Sequence, residues 1–348
     1  MSDAPQIIRA VVVDDSAFAR KVVREMLSAS PFIEVLGAAR DGEEALDLVR
    51  DLKPDIVVCD LRMPRVNGVE FVRRQMEERA LPILILSASE HDAEEVVDAL
   101  NAGAVDVVKK PSALATETLR MVRDELVDKV KAAMHAPFNP RREVAVASPP
   151  RVAAPAVVTK VDVVVLGIST GGPQALRQLL PLFPADFPVP IAVVIHMPVG
   201  YTKLYASKLD QLCNLTVKEA TEGDPLVPGC VLIAAAGRHL MFRRKPTGDV
   251  VAQLSLQPLE KLHRPSADVL FRSAAEVFRG RVLAVVMTGM GEDGKEGAAW
   301  VKAQGGTVIT EAEKSCVIYG MPRSVVEAGL SDVSVPLEEM APAISSRL

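Results

Sequence analysis

VDVVVLGISTGGPQALRQLL, residues 161–180, reads as a strand, a tight turn and a helix in that order. Its first seven residues are mostly β-branched and apolar with little alternation, the pattern of a strand covered on both faces. The turn carries Gly167, Gly171 and Gly172, and Pro173 suits the first turn of the helix that follows. Further strand-like runs occur at VPIAVVIH (189–196), VLIAAAG (231–237), VLAVVMTG (282–289) and GTVIT (306–310), separated by helical patterns such as GAAWVKAQ. Toward the N-terminus, from Ile8 to about Leu126, RAVVVDD, VLGAA, DIVVCD, LPILILS and AVDVVKKP alternate with helical patterns, giving five βα units. Alternation of this kind predicts parallel sheets with helices on both faces.

The 348 residues exceed one ordinary domain and suit two cores. Between Ala132 and Lys160 the periodicity lapses into a stretch with Pro137, Pro140, Pro149, Pro150 and Pro155, the composition of a linker. The expected division is a first domain over 1–128, a Pro-rich linker over 129–159 and a second domain over 160–348. Both domains are expected to be α/β with doubly wound parallel sheets, the first a flavodoxin-like (βα)5 unit and the second Rossmann-like. A formal charge of -5 disfavours nucleic acid as a partner. No apolar run approaches the roughly 20 residues that span a bilayer, and MSDAPQIIRAVVVDD reads as a first strand with no secretory signal, so a cytoplasmic location without membrane insertion is expected. Cys59, Cys213, Cys230 and Cys316 follow no metal or disulfide spacing and read as small buried hydrophobes.

In doubly wound sheets, ligands gather at the carboxyl ends of the strands. In the first domain those ends offer Asp14 and Asp15, Asp60, Ser87, and Lys110 followed by Pro111. Three converging carboxylates repel unless a cation sits among them, and Mg²⁺ suits carboxylate oxygens while keeping sites for water and phosphate. Asp60 can then attack phosphorus as a carboxylate nucleophile, with Lys110 and the Ser87 hydroxyl holding the phosphoryl oxygens. Each aspartate taken alone also fits a helix cap.

Together with DLRMPRVNG after the third strand, these residues resemble the receiver domain of bacterial response regulators across about 7–128. The resemblance implies Asp60 as phosphoacceptor, Asp15 as the principal Mg²⁺ ligand with Asp14 and the Arg62 carbonyl, and Ser87 and Lys110 as a switch pair. Receivers usually carry an aromatic residue in the fifth strand, where this chain has Val107.

In the second domain, GISTGG has the layout of a nucleophile elbow exposing Ser169, and also that of a glycine-rich turn binding phosphate at a helix N-terminus. A serine nucleophile needs a base, and of the five histidines His196 closes the apolar run PIAVVIH. His91 and His135 lie in or near the first domain, while His239 and His263 sit in later, more polar surroundings. GMGEDG after VLAVVMTG brings Asp293 to the same edge, as an acid that orients the histidine or as a helix cap. The backbone N–H groups of Thr170 and Met290 are candidate oxyanion donors.

GISTGG, VIHMP, RPSADVLFRSAA, MTGMGEDG and SCVIYGMPRSVVEAG together resemble the protein-glutamate methylesterases of bacterial chemotaxis through nearly all of 160–348. The resemblance implies Ser169, His196 and Asp293 as catalytic residues. It also implies hydrolysis of glutamate γ-methyl esters on the cytoplasmic helices of chemoreceptors, receptor glutamine deamidation, a chemotaxis histidine kinase as phosphodonor, and no cofactor for the esterase. Ile195 stands where the family often has glutamine. A different class of function, a phosphorylation-gated module holding a nucleotide or phosphate without hydrolysis, is weakly supported, because GISTGG lacks the central glycine of G-x-G-x-x-G. A peptidase using the same serine is a third reading.

Overall fold

The computed structural model describes residues 7–88, 92–110, 116–133 and 161–348. The chain forms two compact units that divide at residue 140. The first begins with β1 (Ile8–Val13), α1 (Ala17–Ser28), β2 (Ile33–Ala39), α2 (Gly42–Leu52) and β3 (Ile56–Asp60). It continues through α3 (Gly68–Glu78), β4 (Ile83–Ser87), α4 (Ala93–Ala102), β5 (Asp106–Lys109) and α5 (Thr116–Ala133). All strand pairs are parallel in the order β2-β1-β3-β4-β5, and the residues of β3 and β4 are buried throughout. The order reverses between β1 and β3, which places the switch-point crevice at Asp14 and Asp60.

Helix starts follow local chemistry. Ser16, Asp41 and Asn67 each accept a backbone N–H from the first turn of α1, α2 and α3. Helix α5 runs to Ala133, five residues beyond the expected domain boundary at 128. No breaker stands before Pro137, Val130 stays on the buried face, and Lys129 pairs with Asp106 at 3.1 Å, so the helix has reason to continue. The rest of the expected linker, 134–159, lies outside the described residues, as do His91 and His135.

The second unit opens with β6 (Val163–Ile168), α6 (Gly172–Leu179), β7 (Ile191–Ile195), α7 (Thr202–Asp210), β8 (Thr216–Glu219) and β9 (Cys230–Ile233). A hairpin of β10 (His239–Arg244) and β11 (Val250–Ser255) precedes α8 (Ala267–Phe278), β12 (Val282–Val286) and α9 (Lys295–Ala303). The chain closes with β13 (Thr307–Glu311), α10 (Met321–Glu327), β14 (Val333–Val335) and α11 (Leu337–Ser345). Seven parallel strands lie in the order β14-β13-β12-β6-β7-β9-β8. From β6 the chain steps outward through β7 to the edge strand β8, comes back to β9 between them, and then returns to β12 on the other flank, so the switch point falls between β6 and β12. Val163 and Val165 of β6, Ala192 and Val194 of β7 and Leu270 and Phe271 of α8 meet in one core. Burial of each larger aliphatic side chain there contributes about 1.5–3 kcal/mol.

Both sheets are the expected doubly wound kind, and the antiparallel hairpin β10–β11 is an addition to them. Its alternate residues Leu240 and Phe242 join the core beside α8. The run VLAVVMTG leaves the sheet after Val286 rather than at Gly289, because the Thr288 N–H bonds a side chain, that of Glu311, in place of a neighbouring strand. All four cysteines are free; three are buried and Cys213 is half-buried. Among the described residues no helix is long and apolar enough to cross a membrane.

Candidate active site and phosphorylation site

Asp14, directly after β1, is fully buried, Asp60 ends β3 and is nearly so, and Asp15 is exposed. Each offers a carboxylate oxygen within 4.8 Å of the others. Asp14 Oδ1 accepts the Ser16 N–H at 2.8 Å. Lys110 Nζ donates to Asp60 Oδ2 at 2.9 Å and stands 2.9 Å from Asp14 Oδ2, off the direction of a hydrogen bond. Asp14 Oδ2 therefore has a charge partner but no donated hydrogen bond. Acceptor-only oxygens converging in this way, two of the three carboxylates buried, fit a hard divalent cation.

Burial pushes the Asp60 carboxyl up to about 6, although the Lys110 hydrogen bond and charge pull the other way; Asp14 adds to the rise. Burial also opposes the Lys110 charge, but its contacts with the Asp14 and Asp60 carboxylates outweigh burial and lift the ammonium above its ordinary value. Ser87, at the end of β4, donates to Asp92 Oδ2 at 3.1 Å, and Asp92 Oδ1 holds the Arg62 guanidinium at 2.8 Å. Val107 is buried in β5, and its carbonyl accepts from Lys129 Nζ at 2.9 Å.

In the second unit Ser169 follows β6, His196 follows β7, and Asp293 lies in the turn between β12 and α9. The His196 N–H donates to the Ile168 carbonyl at 3.2 Å and the Ser169 N–H to the Thr288 carbonyl at 2.9 Å, so neighbouring strand ends are tied by backbone. His196 Nε2 lies 2.8 Å from Asp293 Oδ2. Its Nδ1 is buried, and among the described residues neither Nδ1 nor the Ser169 hydroxyl has a hydrogen-bond partner. Serine and histidine often close to bonding distance only once substrate is present.

Asp293 accepts Ser266 Oγ–H at 2.7 Å, the Ala267 N–H at 2.7 Å and the Asp268 N–H at 3.1 Å. Burial alone would raise this carboxyl, but the His196 bond and charge, with the Ser266 and Ala267 donors, hold it well below the usual carboxylate range. It stays an anion, able to fix the imidazole and to stabilise its protonated form. The expected capping role is also real, with a difference: Asp293 caps α8 rather than the helix that follows it in sequence.

Gly171 adopts φ +80°, and a Cβ there would come within 2.5 Å of Val317 Cβ, so the turn after the serine admits only glycine without strain. At Gly289 a Cβ would stand 2.8 Å from Ser169 Cβ. Close approach of two backbones thus brings the β12 turn against the serine.

Three residues at this edge escape sequence reasoning. His263, expected in polar surroundings, stacks on His196 with ring centroids 4.1 Å apart and planes 20° apart. Ser266 and Asp268 lie in the quoted run RPSADVLFRSAA, where a small hydroxyl residue and an acid ahead of an apolar helix were the available signal. His239, also expected in polar surroundings, is fully buried, its Nε2 3.1 Å from the Pro258 carbonyl.

A parallel α/β sheet with serine, histidine and carboxylate at its switch-point edge, on one chain with an aspartate-lined receiver sheet, defines a regulated hydrolase. Residues 164–344 match the CheB methylesterase family and residues 10–121 the response regulator receiver domain. The chain belongs to the CheB methylesterase family. It is 48% identical to protein-glutamate methylesterase/protein-glutamine glutaminase 5 of Myxococcus xanthus, over 96% of each chain. The protein of the same name from Thermotoga maritima is 40% identical, over 95% of this chain and 96% of its own. The crystal structure of the Thermotoga maritima CheB methylesterase catalytic domain matches 54% of this chain and 99% of its own, with a TM-score of 0.53 and 41% identity. Such relatives are named as hydrolases, so a binding module without catalysis is not favoured.

Proposed function

We propose that this protein hydrolyses glutamate γ-methyl esters on the cytoplasmic helices of chemoreceptors and deamidates receptor glutamines, under control of phosphorylation at Asp60. The observation that carries the catalytic half is the 2.8 Å contact of His196 with Asp293 beside the serine turn. Ser169 Oγ attacks the ester carbonyl while its proton passes to His196 Nδ1, the nitrogen that Asp293 leaves free. The Thr170 and Met290 N–H groups donate to the oxyanion. As the tetrahedral species collapses, the C–O bond to the methoxy group breaks and His196 returns the proton, releasing methanol. Water, deprotonated by His196, then attacks the acyl-serine and frees the glutamate carboxylate and Ser169. With a glutamine substrate the same proton leaves as part of ammonia.

In the receiver half, spanning about 1–128 with its last helix extending to Ala133, Asp60 is the acceptor of phosphate from a chemotaxis histidine kinase. Asp14, Asp15, Asp60 and the Arg62 carbonyl are the proposed Mg²⁺ ligands. The ion, when bound, offsets the negative charge that gathers around the phosphoryl group. Lys110 holds phosphoryl oxygens by charge. Ser87 leaves Asp92 to donate to them, which gives phosphorylation a local change of partner to act through. The hydrolase half spans 160–348, joined by the Pro-rich segment. Nucleic acid and membrane insertion have no part in this reading, and the location is the cytoplasm.

The test is methanol release from methylated receptor, with and without a small phosphodonor. Wild type should respond to the donor, Asp60→Asn should not, and Ser169→Ala should be inactive. Near-normal release by Ser169→Ala would overturn the nucleophile assignment.

A further inference from the structure

Glu311 ends β13 and is fully buried. Its Oε2 accepts the Thr288 N–H at 2.9 Å, and its Oε1 accepts the Ser315 hydroxyl at 2.9 Å. Thr288 is a junction. Its carbonyl accepts the Ser169 N–H at 2.9 Å, and its hydroxyl donates to the Thr170 carbonyl at 2.9 Å while accepting the Ile318 N–H at 2.9 Å. One buried carboxylate is thus joined through a single residue to the backbone on both sides of the serine turn.

We infer that Glu311 is a positioning residue for Ser169, its reach across from β13 holding Thr288 against the GISTGG turn. This rests on the reading of Ser169 as nucleophile. A buried carboxylate is a costly way to fill space, since an apolar side chain of similar volume incurs no desolvation penalty. Burial pushes this acid up to about 7, against the donated bonds of Thr288, Ser315 and Cys316, and the charge of Glu338 adds to the rise. What the residue supplies in return is an acceptor for the Thr288 N–H, just past the end of β12. Displacing a reacting atom by about 1 Å can cost on the order of 100-fold in rate, which makes such an anchor matter for catalysis.

Reach and the ionisable carboxyl separate in two conservative variants. Glu311→Gln keeps the reach: its amide oxygen accepts from Thr288, and its NH₂ donates to Ser315, whose hydroxyl turns to the Ala312 carbonyl already 3.2 Å away. Glu311→Asp keeps the carboxyl group but withdraws the acceptor by about 1.5 Å, one carbon–carbon bond. In the full-length protein, Glu311→Asp should lower kcat for methanol release by about tenfold or more with KM within about twofold, and slow fluorophosphonate labelling in parallel. Glu311→Gln should keep both rates within about threefold. Ser315→Ala, which removes the other arm, should keep kcat within about twofold. Wild-type kcat in Glu311→Asp, equal losses in Asp and Gln variants, or a tenfold loss in Ser315→Ala would each overturn the inference. A lowered thermal midpoint with unchanged labelling rate would do the same, by assigning Glu311 to stability alone. Activity in Ser169→Ala would instead sink the nucleophile reading, whatever the Glu311 variants do.

Discussion

Asp293 and Asp268 each hold the start of the other's helix. Asp293 accepts the Ala267 and Asp268 N–H groups of α8, while Asp268 Oδ1 accepts the Gly294 N–H at 2.9 Å and the Gly297 N–H at 2.8 Å at the start of α9. Only Asp293 also touches His196. The two should therefore separate catalysis from stability. Asp293→Asn is expected to cut kcat by about 10³–10⁴, the scale for losing the acid of a serine triad, and Asp268→Asn by far less. Each should lower stability by about 1–3 kcal/mol in urea unfolding: Asp293→Asn puts an amide donor where one oxygen accepted a buried N–H, and Asp268→Asn puts one where Oδ2 held Lys261 Nζ at 2.9 Å. Equal rate losses in the two variants would remove the distinction.

Acid should find the Asp293 contribution before neutral pH does. Its folded carboxyl lies below the unfolded value near ~4, so the stability it adds is complete above ~4 and is lost as pH falls toward the folded value. Wild type and Asp293→Asn should then differ in urea midpoint at neutral pH and converge in strong acid. A gap that persists below both values would contradict this.

Glu311 gives the opposite sign. Its folded carboxyl, pushed up to about 7 by burial with Glu338 adding and Thr288, Ser315 and Cys316 opposing, holds a proton that the unfolded chain has already released. Stability is therefore lost as pH rises from the unfolded value near ~4.3 through the folded one. Glu311→Gln cannot ionise, so its stability relative to wild type should rise by on the order of 1–3 kcal/mol between about pH 5 and pH 8. A pH-independent difference in denaturation midpoints would show an unperturbed carboxyl.

The receiver's control can be isolated by deletion. A fragment from about residue 158 onward should release methanol faster than the unphosphorylated full chain if the resting receiver masks the hydrolase. Phosphodonor should leave the fragment's rate unchanged. Equal or lower activity of the fragment would argue against inhibition by masking.

Strand ends were legible because a parallel α/β sheet puts its chemistry there: Asp14, Asp60 and Lys110 converge, as do His196 and Asp293, the first four read from an apolar run that stops at polar residues and Asp293 from the glycine-rich turn after one. Glu311 was hidden by the same rule. The run GTVIT reads as a strand ending at Thr310, and a glutamate one step later looks like the first solvated residue; only the fold reveals that it points to Thr288. Strands β8 and β14, of four and three residues, are too short to impose a period. In the hairpin strand β10 the face of Leu240 and Phe242 continues into the exposed Arg244, and His239 on the other face is buried, so the alternation is blurred. His263 lies in the polar-looking run KLHRP, and its stacking on His196 is a tertiary relation with no local signal.

Gly289 offers a test of how tightly the serine turn is fitted. A Cβ there would collide with Met321 Sδ and stand 2.8 Å from Ser169 Cβ and 3.1 Å from Ser169 N. The Met321 side chain has rotamers that can retreat, but Ser169 cannot easily follow. Its N–H is held by Thr288, and two residues on, Gly171 is wedged against Val317. Relief must come from moving one of the two turns. Gly289→Ala is therefore expected to cost about 1–3 kcal/mol of stability and, by shifting the hydroxyl against His196, on the order of 100-fold in kcat. Fluorophosphonate labelling should slow in step, since it reads the same hydroxyl. A folded Gly289→Ala protein that labels at the wild-type rate would mean that the turn yields elsewhere, and that its close packing does not set the nucleophile.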